Sequence, residues 1–568
     1  MEYSAVNTIW ILLGTVLVFF MQAGFAMLET GLTRAKNTGN IILKNLMDFC
    51  IGAVMFWLVG FGLMYGGDGL IFGSIKGIGT EANYGMSMVP KGVPFWAFLA
   101  FQTMFAATAA TIVSGAMAER TKFLAYCIYS AVISLIIYPI SGHWIWGGGW
   151  LEQLGFHDFA GSTAVHMVGG VAAFVGAAML GPRIGKYSRN GKSKAIPGHS
   201  LSLAALGIFI LWFCWFGFNG TSTVAMEGNA IYTASKIFFN TNIAAAVSAC
   251  TAMIVSWIRY KKPDVSMSLN GALGGLVAIT AGCDTVSSVS AAVIGFLAGM
   301  AVVFLIDVIE NKIQVDDPVG AVAVHGGCGL VGTISVGLFS DGTGTEAKGL
   351  FYGGGFGQLG IQCLGAVVII LYVAVAASIL FKIVQRTCGL RVSPEAEVEG
   401  LDQHEHNIVN SYADFLSTDG VSAPIMDVPK IMEEKLDIYL KKADDTPTPM
   451  SKIVIITRQN KLDPLLHALN AIGVTGVTIT NVTGYGMQKG NAKYYRGSEI
   501  DINLLPKVKV EIVVSTVPVS KVVATAEKVL YTGQYGDGKI FIYDIRNVVK
   551  VRTGEEGLDA LVDNGEEE

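Results

Sequence analysis

The sequence predicts an all-α polytopic membrane protein of eleven transmembrane helices with a duplicated core, followed by an α+β domain of ferredoxin-like βαββαβ order. Three observations predict it. The 568 residues are 52% hydrophobic and 15% charged, with a mean hydropathy of +0.52, which belongs to a chain solvated by lipid. Two histidines, His166 and His325, lie in similar apolar strings, AVHMVGGVAAFVGA and AVHGGCGLVGTISVG, each eight residues after an aspartate, Asp158 or Asp317. Beyond about residue 390 charge becomes dense and soluble-domain periodicity appears.

Apolar windows long enough to span a bilayer fall at about 8–32, 41–66, 94–117, 122–141, 161–181, 200–218, 232–258, 269–281, 287–309, 318–338 and 354–385, the eighth being the shortest. Basic residues sort the connections. Arg34, Lys36 and Lys44 follow the first span, Arg120 and Lys122 the third, Arg183, Lys186, Arg189, Lys192 and Lys194 the fifth, and Arg259, Lys261 and Lys262 the seventh. Lys382, Arg386 and Arg391 close the eleventh, while the alternate loops hold only Lys76, Lys91 and Lys348. The positive-inside rule then places the N-terminus outside and the polar C-terminal part in the cytoplasm, across a cell inner (cytoplasmic) membrane.

MEYSAVN lacks the basic leader of a signal peptide, so the first apolar run reads as a retained span. All eight cysteines lie at or before Cys388 without a CxxC pair and read as small buried hydrophobes. No strongly basic face is present, which argues against a nucleic-acid partner. The segments divide as a membrane domain at 1–387, a polar cytoplasmic region at 388–414, a linker at 415–449 and a regulatory domain at 450–568. His404 and His406 read as solvated tail residues.

In the last segment KIVIITR (452–458) reads as a strand, LDPLLHALNAIG (462–473) as a helix and VTGVTITNV (474–482) as a strand. A long polar loop runs to about 505, followed by strand 507–515, helix 520–533 and strand 539–545. That is the order of a split βαβ domain.

An ionisable group deep in an apolar helix is costly, so His166 and His325 are functional candidates set against the plainer reading of satisfied core histidines. A metal site lacks a third ligand at suitable spacing. Phe101, Phe105, Trp146, Trp215 and Phe218 cluster near one end of their spans. They form either an interfacial belt with core packing or a cation vestibule, where an aromatic face gains roughly 0.5–2 kcal/mol from a cation.

The strings DFAGSTAVH (158–166), WFGFNGTS (215–222), VDDPVGAVAVHGGCG (315–329) and AERTKF (118–123) resemble the ammonium transporters of the Amt/Mep/Rh family, over residues 5 to 414. The resemblance implies eleven spans in two inverted five-helix repeats plus one, a pore in each subunit, and a homotrimer. It implies that Phe105, Trp146 and Ser222 recruit ammonium and that Phe105 and Phe218 are the rings closing the pore. His166 and His325 are then paired imidazoles in the lumen, Asp158 supports the outer site structurally, and Thr280 is a hydroxyl near the pore. Either the two histidines relay a proton while NH3 passes, or they form an inert hydrogen-bonding wall.

Residues 450–560 resemble the PII (GlnK-like) signal-transduction proteins through GYGMQKGN (484–491), YYRGSE (494–499), LLPKVKVEIVV (504–514), TGQYGDGKIF (532–541) and VRTGEEG (551–557). Glycine-rich turns with free N–H groups suit phosphate oxygens. The resemblance implies ATP or ADP at Gly484, Gly486, Gln488, Gly536, Asp537, Gly538, Lys539, Lys550 and Arg552, 2-oxoglutarate with Mg2+ at Gln488 and Lys507, and a pore-plugging loop with Arg496 at its tip. Met487 and Lys550 stand where the family often has arginine. Ile500 replaces the tyrosine uridylylated in some relatives, and Ser498 stands where others are phosphorylated. There is no GxxxxGK[ST] pattern and no nucleophile–base arrangement. The expectation is therefore an ammonium transporter gated by its own PII-like domain and needing no cofactor for transport, or an ammonium sensor with little flux, and not an enzyme.

Overall fold

The computed structural model describes residues 2–67, 69–343, 345, 347–408, 450–474, 476–484, 493–495, 498–500, 505–533 and 537–561. The linker expected at 415–449 lies outside them. The chain divides into two compact units, Met1–Asn407 and Ile408–Glu568.

Among the described residues of the first unit, ten helices are long and apolar enough to cross a membrane. They are α1 (Ala5–Leu32), α2 (Ala35–Tyr65), α3 (Phe95–Ala116), α4 (Phe123–Gln153), α5 (Ser162–Leu180), α6 (Leu201–Thr223), α7 (Asn229–Tyr260), α9 (Ser288–Ile313), α10 (Val322–Phe339) and α11 (Gly357–Thr387). The eleventh, α8 (Val265–Ile279), has 15 residues, a length of about 22 Å at 1.5 Å per residue. It starts at Asp264, whose side chain accepts from Met267 N, and is shorter than the bilayer core it was expected to cross.

Large apolar side chains such as Ile9, Phe209 and Leu371 lie 60–68% exposed on the outer faces, as lipid-facing positions do. By contrast 83% of the apolar window of α3 is buried. Its AATAATIVSGA stretch lets neighbouring backbones approach closely. Two expectations are corrected by this packing. Lys44 is not a loop residue: the helix of α2 is under way by Thr38, and Lys44 is fully buried inside it. Only Cys214, Cys283 and Cys328 are buried, whereas Cys50, Cys250 and Cys363 are exposed on outward helix faces, where a thiol meets lipid as readily as protein.

Two short helices, α12 (Pro394–Glu399) and α13 (Leu401–His406), close the unit. The Asp402 carboxylate accepts from Gly39 N at 2.9 Å and Asn40 N at 2.7 Å, occupying the otherwise unpaired N–H groups at the start of α2. His406 is a further correction. Its Nε2 lies 2.9 Å from Asn40 Nδ2 and its ring stands edge-on to Phe123, and this burial lowers its pKa. His404 is exposed as expected.

The second unit holds β1 (Ser451–Thr457), α14 (Leu462–Ala471), β2 (Val477–Gly484), β3 (Lys493–Tyr495), β4 (Ser498–Ile500), β5 (Leu505–Val514), α15 (Val519–Leu530) and β6 (Lys539–Asp544). Four strands form an antiparallel sheet in the order β2-β5-β1-β6. The alternation in KVKVEIVV turns Val508, Val510 and Ile512 inward against Leu465, Leu469, Val522 and Ala526. The stretch expected as one polar loop contains the hairpin β3–β4, and β2 begins three residues later than expected.

Candidate functional site

The two histidines are built the same way. Each sits on a π-helical turn that opens its span, Ser162–Met167 for His166 and Val322–Gly327 for His325, a distortion that tends to mark functional positions. Each turn is entered through a glycine of positive φ, Gly161 (111°) or Gly320 (81°). Each is held by the preceding aspartate. Asp158 accepts from Gly161 N, Thr163 N and Ala164 N at 3.1, 2.9 and 2.8 Å. Asp317 accepts from Val319 N, Gly320 N and Val322 N at 3.3, 3.0 and 2.7 Å.

The histidines meet because the helices behind them touch. A Cβ on Gly170 would lie 2.1 Å from Gly326 N, so only glycine permits that crossing. His166 Nδ1 and His325 Nδ1 are then 3.2 Å apart, with ring planes inclined by 22°. Neutral imidazoles at that distance need one Nδ1–H donor and one Nδ1 acceptor, so the pair carries opposite tautomers. His166 Nε2 is buried with no protein partner.

Aromatic rings continue the column. Trp215 stacks on His166 at 5.0 Å and Phe218 lies 5.4 Å from it. Phe105 packs 4.4 Å from Phe218, with Trp146 edge-on to Phe105 at 6.1 Å. Both phenylalanines are buried. Trp146 Nε1 donates to Asp158 O at 2.6 Å, so the aspartate's loop also sets the indole. Ser222 Oγ donates to Phe218 O at 2.7 Å, which leaves its oxygen lone pairs to accept. Thr280 Oγ1 accepts from Trp215 Nε1 at 2.9 Å. Thus Phe105, Trp146, Phe218, His166 and His325 come together in one column with Asp158 behind it. The sequence offers Trp215 only as one of the clustered aromatics, with no place beside His166. The signal was its place three residues before Phe218, on the same helix face.

Outside the spans, His157 Nε2 lies 3.1 Å from Asp284 Oδ1. Burial works against the charged ring, but the Asp284 carboxylate outweighs it and raises the pKa. Burial raises the Asp158 carboxyl while its three N–H donors pull it back. On the side of the unit holding the α3–α4, α5–α6 and α9–α10 turns, Arg183 bridges Asp316 and Glu119, with Nε–Asp316 Oδ2 at 2.9 Å and Nη1–Glu119 Oε2 at 3.1 Å. Burial opposes ionisation of Asp316, yet the Arg183 guanidinium and then Arg120 bring it down to about 2.

In the second unit a groove of about 370 Å³ is lined by Ser520, Glu527, Tyr531, Asp537, Gly538 and Lys539 among others. Asp537 accepts from Thr532 N at 2.7 Å and Gly533 N at 3.0 Å. Gly538 has φ 118°, and a Cβ there would lie 2.2 Å from Ile456 O. Lys550 and Arg552 do not line the groove; Lys550 pairs with Glu555 at 3.9 Å and Arg552 is exposed. Gly484 pairs with Leu505 and Lys507 with Val482 in the sheet. Gly486, Gln488, Arg496 and Gly536 lie outside the described residues. Among the described residues no group of three or more histidines, cysteines or carboxylates could hold a metal ion.

Comparison with known proteins is consistent along the chain. Residues 9–411 match the model of the Ammonium Transporter Family, and residues 450–555 that of Nitrogen regulatory protein P-II. Ammonium transporter Amt2 of Archaeoglobus fulgidus is 46% identical over 431 residues, covering 73% of this chain and 90% of its own. Ammonium transporter Amt1 of Haloferax mediterranei is 38% identical, covering 73% and 81%. A solved structure described as a Sensor Amt Protein superposes with TM-score 0.65 at 38% identity, covering 71% of this chain and 98% of its own. The crystal structure of Candida albicans Mep2 superposes with TM-score 0.64 at 29% identity, covering 69% and 88%.

Proposed function

This chain belongs to the ammonium transporter family and carries a P-II domain behind its membrane unit, and on that premise we propose that it conducts ammonium through the twin-histidine column under control of that domain. The observation that carries the reading is the pair of buried imidazoles 3.2 Å apart beneath two closely packed phenylalanines whose rings are tilted by 36°. A bare cation in the middle of a bilayer costs several kcal/mol. Trp146, Phe105 and the acceptor Ser222 recruit NH4+ at the outer end. Aromatic faces favour any cation of this size, whereas the serine rewards one that donates hydrogen bonds. Phe105 and Phe218 then separate that site from the lumen, where NH3 passes along the imidazole Nε2 edges while the pair carries the proton. Charge therefore crosses without an unsolvated ammonium ion, and transport is electrogenic.

The protein works as a homotrimer in the inner membrane, N-terminus outside and P-II domain in the cytoplasm. ATP or ADP, with Mg2+ and 2-oxoglutarate, bind the P-II domain at the groove beside Gly538 and at Gln488 and Lys507, and thereby set the position of the loop bearing Arg496. The Asp537–Lys539 turn suits phosphate: its glycine cannot carry a side chain, and Lys539 supplies charge.

The test is ammonium-evoked current in proteoliposomes. Wild type is expected to give a saturable current, and the His166→Leu/His325→Leu protein a current at least about a hundredfold smaller, the scale of losing a positioned acid–base group. Undiminished ammonium-selective current in the double variant would refute the proton relay. A second reading, an ammonium sensor with little flux, is favoured by the likeness to the Sensor Amt Protein together with the fused P-II domain. Ammonium-dependent binding without current would select it.

A further inference from the structure

Below the histidine pair, on the side away from Phe105 and Phe218, lies a small cavity with room for about one water. Its wall includes His325, Phe25, Asn270 and, unexpectedly, the carboxylate-bearing Glu29 of α1. Glu29 is 2% exposed. Its hydrogen bonds both fall on Oε2, from Ser114 Oγ at 2.9 Å and Asn45 Nδ2 at 3.2 Å. Two neutral donors do not compensate a buried negative charge.

The nearby charges come from α2. Lys44 is fully buried, its ammonium has no hydrogen-bond partner, and it lies 4.7 Å from the centre of the Tyr126 ring. Asp48 is fully buried one helical turn further on and accepts from Tyr126 Oη at 2.5 Å, while its Oδ1 has no partner. The other groups acting on this cluster are Asp317 ahead of α10, Arg120 after α3, and Cys127 and Tyr129 of α4, with His325 across the cavity. Asp317 is held by backbone N–H groups and Arg120 by the carbonyls of Ala116, Ala118, Gly181 and Asp316. What remains is two carboxylates and one ammonium in a dry interior. Fully ionised the cluster carries one net negative charge; one added proton neutralises it. A buried cluster one proton away from neutrality, sharing a cavity with an imidazole, is built to exchange that proton.

We propose that Glu29, held beside Lys44 and Asp48, is the proton-exchange group on the far side of the histidine pair. The step balances without any electron transfer. An imidazolium of the pair gives its Nε2 proton to a water in the cavity, that water gives one of its own to the Glu29 carboxylate, and the pair returns to neutral. The carboxylic acid is then re-ionised by giving its proton to bulk water beyond the C-terminal end of α1, which closes the cycle. This inference rests on the proposed twin-histidine transport.

The experiment measures, in the same proteoliposomes, ammonium-evoked current and lumenal alkalinisation by a trapped pH dye. Wild type is expected to give current with little alkalinisation. Glu29→Gln keeps the shape and both donors but cannot ionise. It is expected to lose about a hundredfold in current, the low end of a positioned acid–base contribution, while ammonia entry continues and the lumen turns alkaline. Glu29→Asp is expected to restore part of the current with a displaced pH profile. Wild-type current and pH profile in Glu29→Gln would overturn the proposal. So would parallel loss of current and alkalinisation that Glu29→Asp does not rescue, since that is a structural role. If Glu29→Gln does not fold, Ser114→Ala decides: removing one donor to the carboxylate is expected to displace the pH of half-maximal current, and an unmoved profile overturns the proposal. Absence of current in wild type would instead sink the transport reading on which this one stands.

Discussion

Asp158 and Asp317 each spend a whole carboxylate on three backbone N–H groups of the turn that opens the following helix. The consequence is positional: the turn presents a histidine at the helix crossing. Asp158→Asn keeps one carbonyl oxygen and sets an amide NH2 against N–H donors, leaving one or two of them unpaired. The expected cost is about 2–3 kcal/mol, seen as a lowered melting temperature of the detergent-solubilised protein, with current lowered as the turn whose Asp158 carbonyl accepts from Trp146 Nε1 loses its side-chain anchor. A wild-type melting temperature would contradict the role assigned to this carboxylate. Both aspartates were legible in the sequence as a matched Asp-to-His spacing. Lys44 was not, because a lone lysine near a predicted span end reads as a loop charge until its neighbours are known.

At the scale of elements, buried ion pairs join several of the turns between helices. Arg183 ties the α5–α6 connection to Asp316 before α10 and to Glu119 after α3, and Arg34 of the α1–α2 connection joins Glu119 at 2.8 Å. Asp316 is fully buried and its pKa is depressed to about 2. A depressed carboxyl contributes stability that is present above its unfolded value and lost as pH falls through its folded one. The window is therefore from about 4 down to about 2, and the contribution about 2 kcal/mol. The melting temperature of the full chain is expected to fall across that window, and Asp316→Asn to be less stable at neutral pH with a flatter acid limb. An identical acid limb in the variant would rule the contribution out. The same residues illustrate a limit of sequence reading. Arg183 and Lys186 count in the sequence only as basic loop residues that orient the spans, yet both are buried in ion pairs. Loop composition reports which side a segment prefers, not whether its charges meet partners across the fold.

For the whole molecule, each unit has its own apolar core, one of helices around Phe105 and Phe218 and one of Ile453, Val510 and Val522 beneath a sheet. Deletion of 450–568 is therefore expected to leave the membrane unit folded, with ammonium-evoked current that no longer responds to ATP, ADP or 2-oxoglutarate. Arg496→Ala in the full chain is expected to weaken the same response while nucleotide binding persists. If both proteins match wild type at every nucleotide level, the proposed coupling is wrong.

The helical spans, the two-part division, the order of the two helices and the four sheet strands of the small domain, and both family memberships were determined by the sequence alone, because each depends on hydropathy, period or motif within a short stretch. Only the tertiary structure decided that Gly170 and Gly326 touch, that Trp215 stacks on His166, and that Glu29 and Lys44 share a dry interior beside His325. Those contacts join residues far apart in the chain, and the close packing of small side chains that creates them leaves no periodic trace in any one segment.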